Sequence, residues 1–130
     1  MTEKRIYLSE SGMAKLRQTF KVSHVTVWKA LTYKTESALA EKIRYVALTQ
    51  LGGTASKDIQ KAVECETTHE EVAKTMTQTF GPRVKLVFFK EGNFVRMYVD
   101  GKETEKAYCK DIPSFIAFQK HVELTAMTKL

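Results

Sequence analysis

The side chains that most often carry out catalysis or bind metals are few in this chain, and they are scattered. They comprise three histidines and two cysteines: His24, His69, His121, Cys65 and Cys109. The histidines lack the set of paired ligand spacings that a tetrahedral zinc site requires. The cysteines lie 44 positions apart without a CxxC motif, which favours two reduced thiols over a metal site or a disulfide. We therefore expect no metal centre.

Acidic residues and nucleotide-binding motifs offer equally little catalytic chemistry. Glu70 and Glu71 are adjacent, so on a helix their carboxylates would point about 100° apart and would not form a general acid–base pair. The sequence contains no GxGxxG, P-loop, GxSxG or HExxH motif. These observations predict a protein that is not an enzyme and that uses no cofactor.

A run of polar and aromatic residues near the N-terminus favours binding chemistry instead. Hydroxyl, imidazole, ammonium and aromatic groups on one helical surface suit contacts with DNA base edges and phosphates. The candidates for contact with double-stranded DNA are Ser23, His24, Val25, Thr26, Trp28, Lys29, Tyr33 and Lys34. We expect Trp28, the only tryptophan, to be partly buried with one edge toward the DNA.

Two short helices joined by a tight turn are predicted to position this surface. Residues 13–31 place apolar side chains where a helix-turn-helix must bury them: Leu16, Phe20, Val22, Val27, Ala30 and Leu31. Ser23 is the expected N-cap of the second helix, over residues 23–33, because its hydroxyl can accept from the first backbone amides. The second helix would then enter the major groove.

Further elements are expected on either side of this pair of helices. A third helix begins near Ser37, ends at Gly52, and buries Leu39, Ile43, Val46 and Leu51. Residues 5–8 are expected to pack as a short extended arm, and Ser9 or Ser11 to cap the first helix.

Part of this region resembles a known family of DNA-binding proteins. The segment Val22-Ser23-x-x-Thr26-Val27 is similar to the start of the recognition helix in the lac repressor family, of the lambda-repressor-like superfamily. In that family a third helix opens with a serine and a Glu-Lys-Val or Glu-Lys-Ile step, as do Ser37 and residues 41–43 here. The resemblance covers about residues 11–51 and implies a helix-turn-helix that binds DNA.

The chain departs from that family in three respects. Arg17 and Lys21 occupy positions where such units usually carry alanine at the helix crossing and glycine in the turn. Lysine in a left-handed turn costs roughly 1–2 kcal/mol, and Arg17 would have to extend its stem outward along the surface. The chain is also too short for the family's sugar-binding domain, so the resemblance implies no sugar effector, and any effector ligand stays unknown.

The positive charge is concentrated in the N-terminal part of the chain. The net charge is +6, and residues 1–53 account for +5 because they contain nine Lys/Arg and four Asp/Glu. Residues 54–130 contain twelve Lys/Arg and eleven Asp/Glu, which leaves +1. Such a distribution suits phosphate binding by the predicted helices. The chain has neither an apolar run of membrane-spanning length nor a signal-peptide core, so we expect it to be cytoplasmic, without membrane partners.

The remaining sequence predicts a second, small domain. Residues 54–67 are interpreted as a linker or short helix, with GTASK (53–57) as the linker and residues 58–66 as the helical stretch. A capping box at Thr68 and Glu71, followed by apolar residues at 72, 76 and 80, predicts a helix over residues 68–80.

Three strands and a last helix complete this domain. The strands are predicted over residues 83–90, 94–100 and 103–109, with turns at 91–93 and 100–101. The helix begins near Pro113 and buries Phe115, Phe118 and Val122. The predicted fold class is therefore α+β, with a three-helix helix-turn-helix unit (1–53) followed by a small α-β-β-β-α domain (68–130).

Apolar residues lie on both faces of the first two predicted strands, and a sheet of this kind must cover both faces. One face carries Val84, Leu86 and Phe88, and the other carries Val87 and Phe89. We expect helices to cover one face and a second subunit to cover the other, which gives a homodimer. The alternative is a monomer whose two helices cover opposite faces.

The function predicted from these observations is sequence-specific DNA binding, by a small transcriptional regulator or an accessory protein of a phage or mobile element. One alternative is an adaptor that uses the same helices to dock on a protein. A second alternative is binding of RNA or single strands by the C-terminal sheet. That surface would use the aromatic residues Phe88, Phe89, Phe94 and Tyr98 with the cations Lys85 and Arg96.

Overall fold

The computed structural model describes residues 4–130, which contain five α-helices and seven β-strands. The chain is thus of the mixed α+β class, as predicted. The described residues form two compact units. Unit 1 comprises the residues up to Lys61 together with Met127–Lys129, and unit 2 comprises Ala62–Ala126 together with Leu130.

Three helices of unit 1 each begin at a serine. They are α1 (Glu10–Phe20), α2 (His24–Leu31) and α3 (Ala38–Gln50). The hydroxyls of Ser9, Ser23 and Ser37 accept hydrogen bonds from backbone amides three residues later, at 3.2, 3.3 and 3.1 Å. Each serine satisfies one of the unpaired amides of a first helical turn, which is typically worth about 1 kcal/mol. The caps at Ser9 and Ser23 lie at serines proposed for that role, and Ser37 lies where the third helix was expected to begin.

The turn between α1 and α2 depends on a left-handed residue. Lys21 has φ 54° and ψ 50°, and its backbone N–H donates to the Arg17 carbonyl. The Val22 amide donates to the same carbonyl at 3.2 Å. The expected left-handed lysine is confirmed, and Arg17 is exposed as its position required.

The inner face of α3 differs from the predicted one. Leu39 is 40% exposed, and Val46 and Leu51 are only half-buried. Ile43 is buried as expected, and the other buried residues of α3 are Ala40, Arg44 and Ala47. The spacing of apolar residues predicts the wrong buried face of α3 because it counts large aliphatic side chains. In the structure, two alanines and an arginine lie on the buried face together with Ile43.

The predicted linker at residues 53–57 is part of unit 1. Strand β1 (Ile6–Tyr7) pairs with β2 (Thr54–Ala55), so the expected extended arm is hydrogen-bonded to this segment. Gly53 is required there, because an added Cβ would lie 2.7 Å from the Ala47 carbonyl oxygen. Helix α4 (Lys57–Ala62) follows and is shorter than the helical stretch expected over residues 58–66.

Unit 2 contains an antiparallel sheet in which the five strands lie in sequence order. The strands are β3 (Cys65–Glu70), β4 (Thr75–Phe80), β5 (Val84–Phe89), β6 (Phe94–Val99) and β7 (Lys102–Tyr108), followed by α5 (Ile112–Thr128). The last three strands and the last helix agree with the prediction within a few residues. Asp100 and Gly101 have φ of 53° and 81°, as a two-residue hairpin turn between twisted strands requires.

The helix predicted over residues 68–80 is wrong, because this segment forms the end of β3, a turn and β4. Apolar residues at 72, 76 and 80 are spaced by four, which fits a strand period of two as well as a helix. Alternating threonines at 75, 77 and 79 favour the strand, since β-branched side chains pack well on a pleated surface. Val72, counted as core, is 98% exposed in the turn.

Helix α5 packs on one face of the sheet, which we call the covered face. The Phe115 ring meets Phe88 edge-on with centroids 5.4 Å apart, and Gln119 donates to Gln78 at 2.8 Å. Val122 is buried as predicted, whereas Phe115 and Phe118 are half-buried. The most buried strand residues, Leu86 and Val95, point to this same face.

Candidate nucleic-acid interface

Helix α2 has a sharp division between an inner and an outer side. Val27, Ala30 and Leu31 are buried, as predicted from their spacing. Val25, only two residues before Val27, is 55% exposed, whereas Val27 is 0% exposed. The inner side anchors the helix, and the outer side is left available for a partner.

Four candidate residues form the outer side of α2: His24, Val25, Trp28 and Lys29. Trp28 is 37% exposed, which is the partial burial expected for it. The ammonium group of Lys34 lies 4.5 Å from the centroid of the Trp28 ring, in a cation–π contact. An imidazole, an indole, two cations and an apolar residue are therefore presented on one short helix and the segment that follows it.

Ser23 and Thr26 hold the beginning of this helix. The Thr26 amide donates to the Ser23 hydroxyl, and the two hydroxyl oxygens lie 3.0 Å apart. Ser23 is exposed and Thr26 is half-buried. Both side chains thus lie at the end of α2 from which a recognition helix contacts DNA, and both already take part in the cap.

Tyr33 is the candidate that the structure places differently. The prediction put it on the outward face of a helix ending at residue 33, but α2 ends at Leu31 and Tyr33 has φ 61°. The Tyr33 hydroxyl donates to the Met127 carbonyl. Burial raises the pKa of the Tyr33 phenol, and the positive charge of nearby Arg44 offsets only part of this rise. Tyr33 therefore belongs to the packing of unit 1 and leaves the candidate interface.

Arg44 is the important residue that sequence reasoning missed. Its fully buried guanidinium donates to the carbonyls of Ala30 at 2.7 Å, Thr35 at 2.6 Å and Thr128 at 3.0 Å. Its Cζ atom lies 4.2 Å from the centroid of the Tyr33 ring. Arg44 thereby fixes the end of α2 and the segment after it. The only signal in the sequence is a charged residue within the apolar stretch of α3.

The cations of unit 1 are not equally available. Arg44 is buried, and Lys129 forms an ion pair with Glu41 at 2.8 Å. The exposed cations from α1 to the segment after α2 are Lys15, Arg17, Lys21, Lys29 and Lys34. Most of the exposed cations of residues 1–53 therefore lie on and around α1 and α2, and Lys4 and Lys42 are exposed elsewhere.

The residues proposed for a single-strand surface divide between the two faces of the unit 2 sheet. Phe88 lies on the covered face and contacts α5, so it cannot serve as an exposed stacking platform. Phe89, Phe94 and Tyr98 point to the opposite face, which we call the open face, together with Lys85 and Arg96. The expectation that apolar residues occupy both faces is confirmed for β5.

The described residues offer no other evident chemistry. No group of three or more His, Cys, Asp or Glu residues among them could hold a metal ion. Cys65 and Cys109 are both free, the first exposed and the second buried. None of the helices in the described part of the chain combines the length and apolarity needed to cross a membrane.

Comparison with known proteins adds no relative. No protein-family model matches this chain, and no curated protein or solved structure is significantly similar to it.

Proposed function

We propose that this chain binds double-stranded DNA in a sequence-specific manner, with α2 as a recognition helix in the major groove. The proposed role is that of a non-enzymatic transcriptional regulator or an accessory protein of a phage or mobile element. The observation that carries the proposal is the division of α2, in which Val27 is buried while Val25, two residues earlier, is exposed. A left-handed turn at Lys21 and the serine cap precede this helix, as in a helix-turn-helix.

Each outer residue has a role suited to its chemistry. His24 and Lys29 would donate to acceptors on base edges, and Val25 would contact a thymine methyl group. Trp28 would lie along the groove wall with Lys34 beside it, and exposed cations on α1 and the turn would hold phosphates. In this arrangement the base contacts of α2 determine sequence specificity, and the phosphate contacts of the surrounding cations supply much of the affinity.

A single α2 contacts only a few base pairs, so we propose that two copies bind as a homodimer to an inverted repeat. Half-site centres are then separated by about 34 Å, one helical turn, or by a multiple of it. Sedimentation equilibrium of the full chain, free and on the selected site, tests this part. A mass of 14.8 kDa for the free protein, together with one protein copy per selected site in the complex, would refute the dimer and leave the DNA-binding proposal to be tested separately.

The test of DNA binding begins with selection of bound sequences from a random pool of duplex DNA. Lys29→Ala should weaken binding to the selected site by roughly 5- to 150-fold and relax the preference at the base pair that it contacts. His24→Ala should lower the preference at one base pair by roughly 5- to 150-fold. The matched control is Lys61→Ala, which removes an exposed cation of unit 1 on α4 and should change affinity by less than about twofold.

Point variants are preferable to fragments in this experiment. A fragment that begins at residue 54 would separate β2 from its partner strand β1 and would expose the core of unit 1. The proposal is overturned if no sequence is enriched, or if Lys61→Ala weakens binding as much as Lys29→Ala. Absence of duplex binding even at 50 mM salt would favour the protein-docking alternative.

A further inference from the structure

The open face of the unit 2 sheet is organised in rows across three strands. Strand register places Phe89, Phe94 and Tyr108 opposite one another on β5, β6 and β7. The next row of the same face, two residues along each strand, contains Val87, Arg96 and Lys106. A row of three aromatic residues therefore lies beside a row with two cations, about 7 Å away.

The third row adds another cation and another aromatic residue. Lys85 and Tyr98 are cross-strand partners, and the Lys85 ammonium lies 5.2 Å from the Tyr98 ring centroid. Glu103, next to Tyr98 on β7, lies 3.1 Å from the Arg96 Nε atom. The three strands thus present three cations and one carboxylate on this face.

The cations lie over aromatic rings in the free protein. The Lys106 ammonium is 4.8 Å from the Phe94 centroid, and the Arg96 guanidinium is 5.1 Å from the centroid of Phe89 and 5.4 Å from that of Phe94. Phe89 and Phe94 stack with centroids 4.6 Å apart. A cation–π contact does not neutralise a cation, so the Lys85 and Lys106 ammonium groups still attract anions, whereas Glu103 pairs with Arg96.

Accessibility differs among the aromatic residues in a useful way. Tyr108 is 67% exposed and is the most accessible ring of the first row. Phe89, Phe94 and Tyr98 are half-buried, while Lys85 and Lys106 are exposed. The contacts that α5 makes through Phe115 and Gln119 lie on the covered face. The open face therefore offers one exposed ring and three half-buried rings, flanked by two exposed lysines.

We propose that the open face binds single-stranded nucleic acid, with bases stacked on the aromatic row and phosphates held by Lys85, Arg96 and Lys106. Stacked rings accept any base because every base has a π face, and a cationic border follows the backbone. A second protein copy docked on this face would bury the three cations, whereas a polyanion would neutralise them. This site is separate from α2 and does not depend on duplex binding there.

The test measures fluorescence anisotropy of the full chain with two labelled 20-mers, oligo(dT) and oligo(rU). Three phosphate contacts give an expected slope of log K against log salt of about −2, since each contributes roughly 0.7 on a single strand. Tyr108→Ala should weaken binding by about 5- to 150-fold, as the loss of one stacking ring does. Lys106→Glu should weaken it by tenfold or more and reduce the slope.

Lys102→Glu is the matched control for Lys106→Glu, because Lys102 is exposed on the same strand but belongs to the opposite face. It should retain binding to both probes, and so should Lys29→Ala, which belongs to the proposed duplex site. Circular dichroism of each variant ensures that the sheet is folded. Binding of one probe only would support the site and identify its ligand as DNA or RNA.

Three outcomes would overturn the proposal. The first is no binding of either probe by the wild-type chain at 50 mM salt. The second is an equal loss of affinity in Lys102→Glu and Lys106→Glu, which would indicate that binding depends on the total charge of the protein and not on a site on the open face. The third is that Tyr108→Ala converts a dimer to a monomer in sedimentation while single-strand binding is unchanged, which would make this face a subunit interface.

Discussion

Arg44→Met tests directly how unit 1 is held together. In the native chain the Arg44 guanidinium donates to the backbone carbonyls of Ala30, Thr35 and Thr128. Methionine replaces the aliphatic stem of arginine and has no donor, so the substitution keeps the packing of the stem but leaves these carbonyls without their donors. The carbonyls belong to the end of α2, to the segment after it and to the last helical residue of the chain. Because three separate segments lose a contact, the substitution should destabilise unit 1 as a whole.

The expected magnitude follows from two opposing contributions. Each buried carbonyl that loses its donor costs about 1–3 kcal/mol, so three cost roughly 3–9 kcal/mol. Removing a buried guanidinium also relieves its desolvation, which is worth several kcal/mol. Thr35 is only half-buried, so water can replace one bond. We therefore expect Arg44→Met to lower the free energy of unfolding by about 2–4 kcal/mol, a large share of the stability of a small domain.

The assay is urea unfolding followed by fluorescence of Trp28, the only tryptophan, which lies on α2 and so reports on unit 1. Arg17→Met is the matched control, because Arg17 is exposed on α1 and its loss should change the free energy of unfolding by less than about 0.5 kcal/mol. If the two variants unfold at the same urea concentration with equal slopes, the carbonyl contacts of Arg44 do not stabilise the unit, and the reasoning is refuted.

Three further predictions concern single contacts. Val27→Asp buries an unpaired carboxylate at a cost of several kcal/mol and should unfold unit 1, whereas Val25→Asp should keep its helical circular dichroism; equal losses in both would mean that the faces of α2 are misassigned. Gly53→Ala brings a Cβ to 2.7 Å from the Ala47 carbonyl oxygen and should lower Tm by about 5 °C or more. A Tm as high as that of the wild type would contradict the required close approach. The side chain of Ser114 and its backbone amide both donate to Asp111 at the start of α5, and these hydrogen bonds lower the pKa of the Asp111 carboxyl below the ordinary 3.8. The stability that it contributes is present above that pH and lost as the pH falls through the lowered pKa, so the advantage of wild type over Asp111→Ala should shrink between pH 5 and pH 2; an advantage unchanged at pH 2 would exclude this cause.

Local signals allowed most of unit 1 and the last strands to be predicted. Serine caps mark the start of α1, α2 and α3, and hairpin turns such as Asp100-Gly101 separate β6 from β7. These features act within a few residues, so their chemistry can be recognised without knowing the fold.

The failures have nonlocal causes. Residues 54–55 form a strand only because Ile6–Tyr7, nearly fifty positions earlier, supplies its partner, and small polar residues alone suggest a linker. Arg44 is buried because carbonyls from three separate segments converge on it, one of them at Thr128. Neither the β1–β2 pairing nor the contacts of Arg44 leave a signal in the spacing of apolar residues. The buried face of α3 is therefore predicted wrongly, because Arg44 lies on it.

The candidate sites show why charge counted along a chain is a poor guide to a surface. Residues 54–130 have a net charge of only +1, and this value taken alone argues against nucleic-acid binding by the C-terminal sheet. On the open face, however, Glu66 and Glu70 lie on β3, whereas Arg96 and Lys106 lie on β6 and β7. Three strand spacings separate β3 from β6, about 14 Å, which exceeds the Debye length of about 8 Å at physiological ionic strength. A phosphate beside Lys106 and Arg96 therefore interacts with these cations much more strongly than with the distant glutamates. Glu103, which pairs with Arg96, is the one carboxylate close to them, so the average of the segment does not describe the field that a ligand would meet.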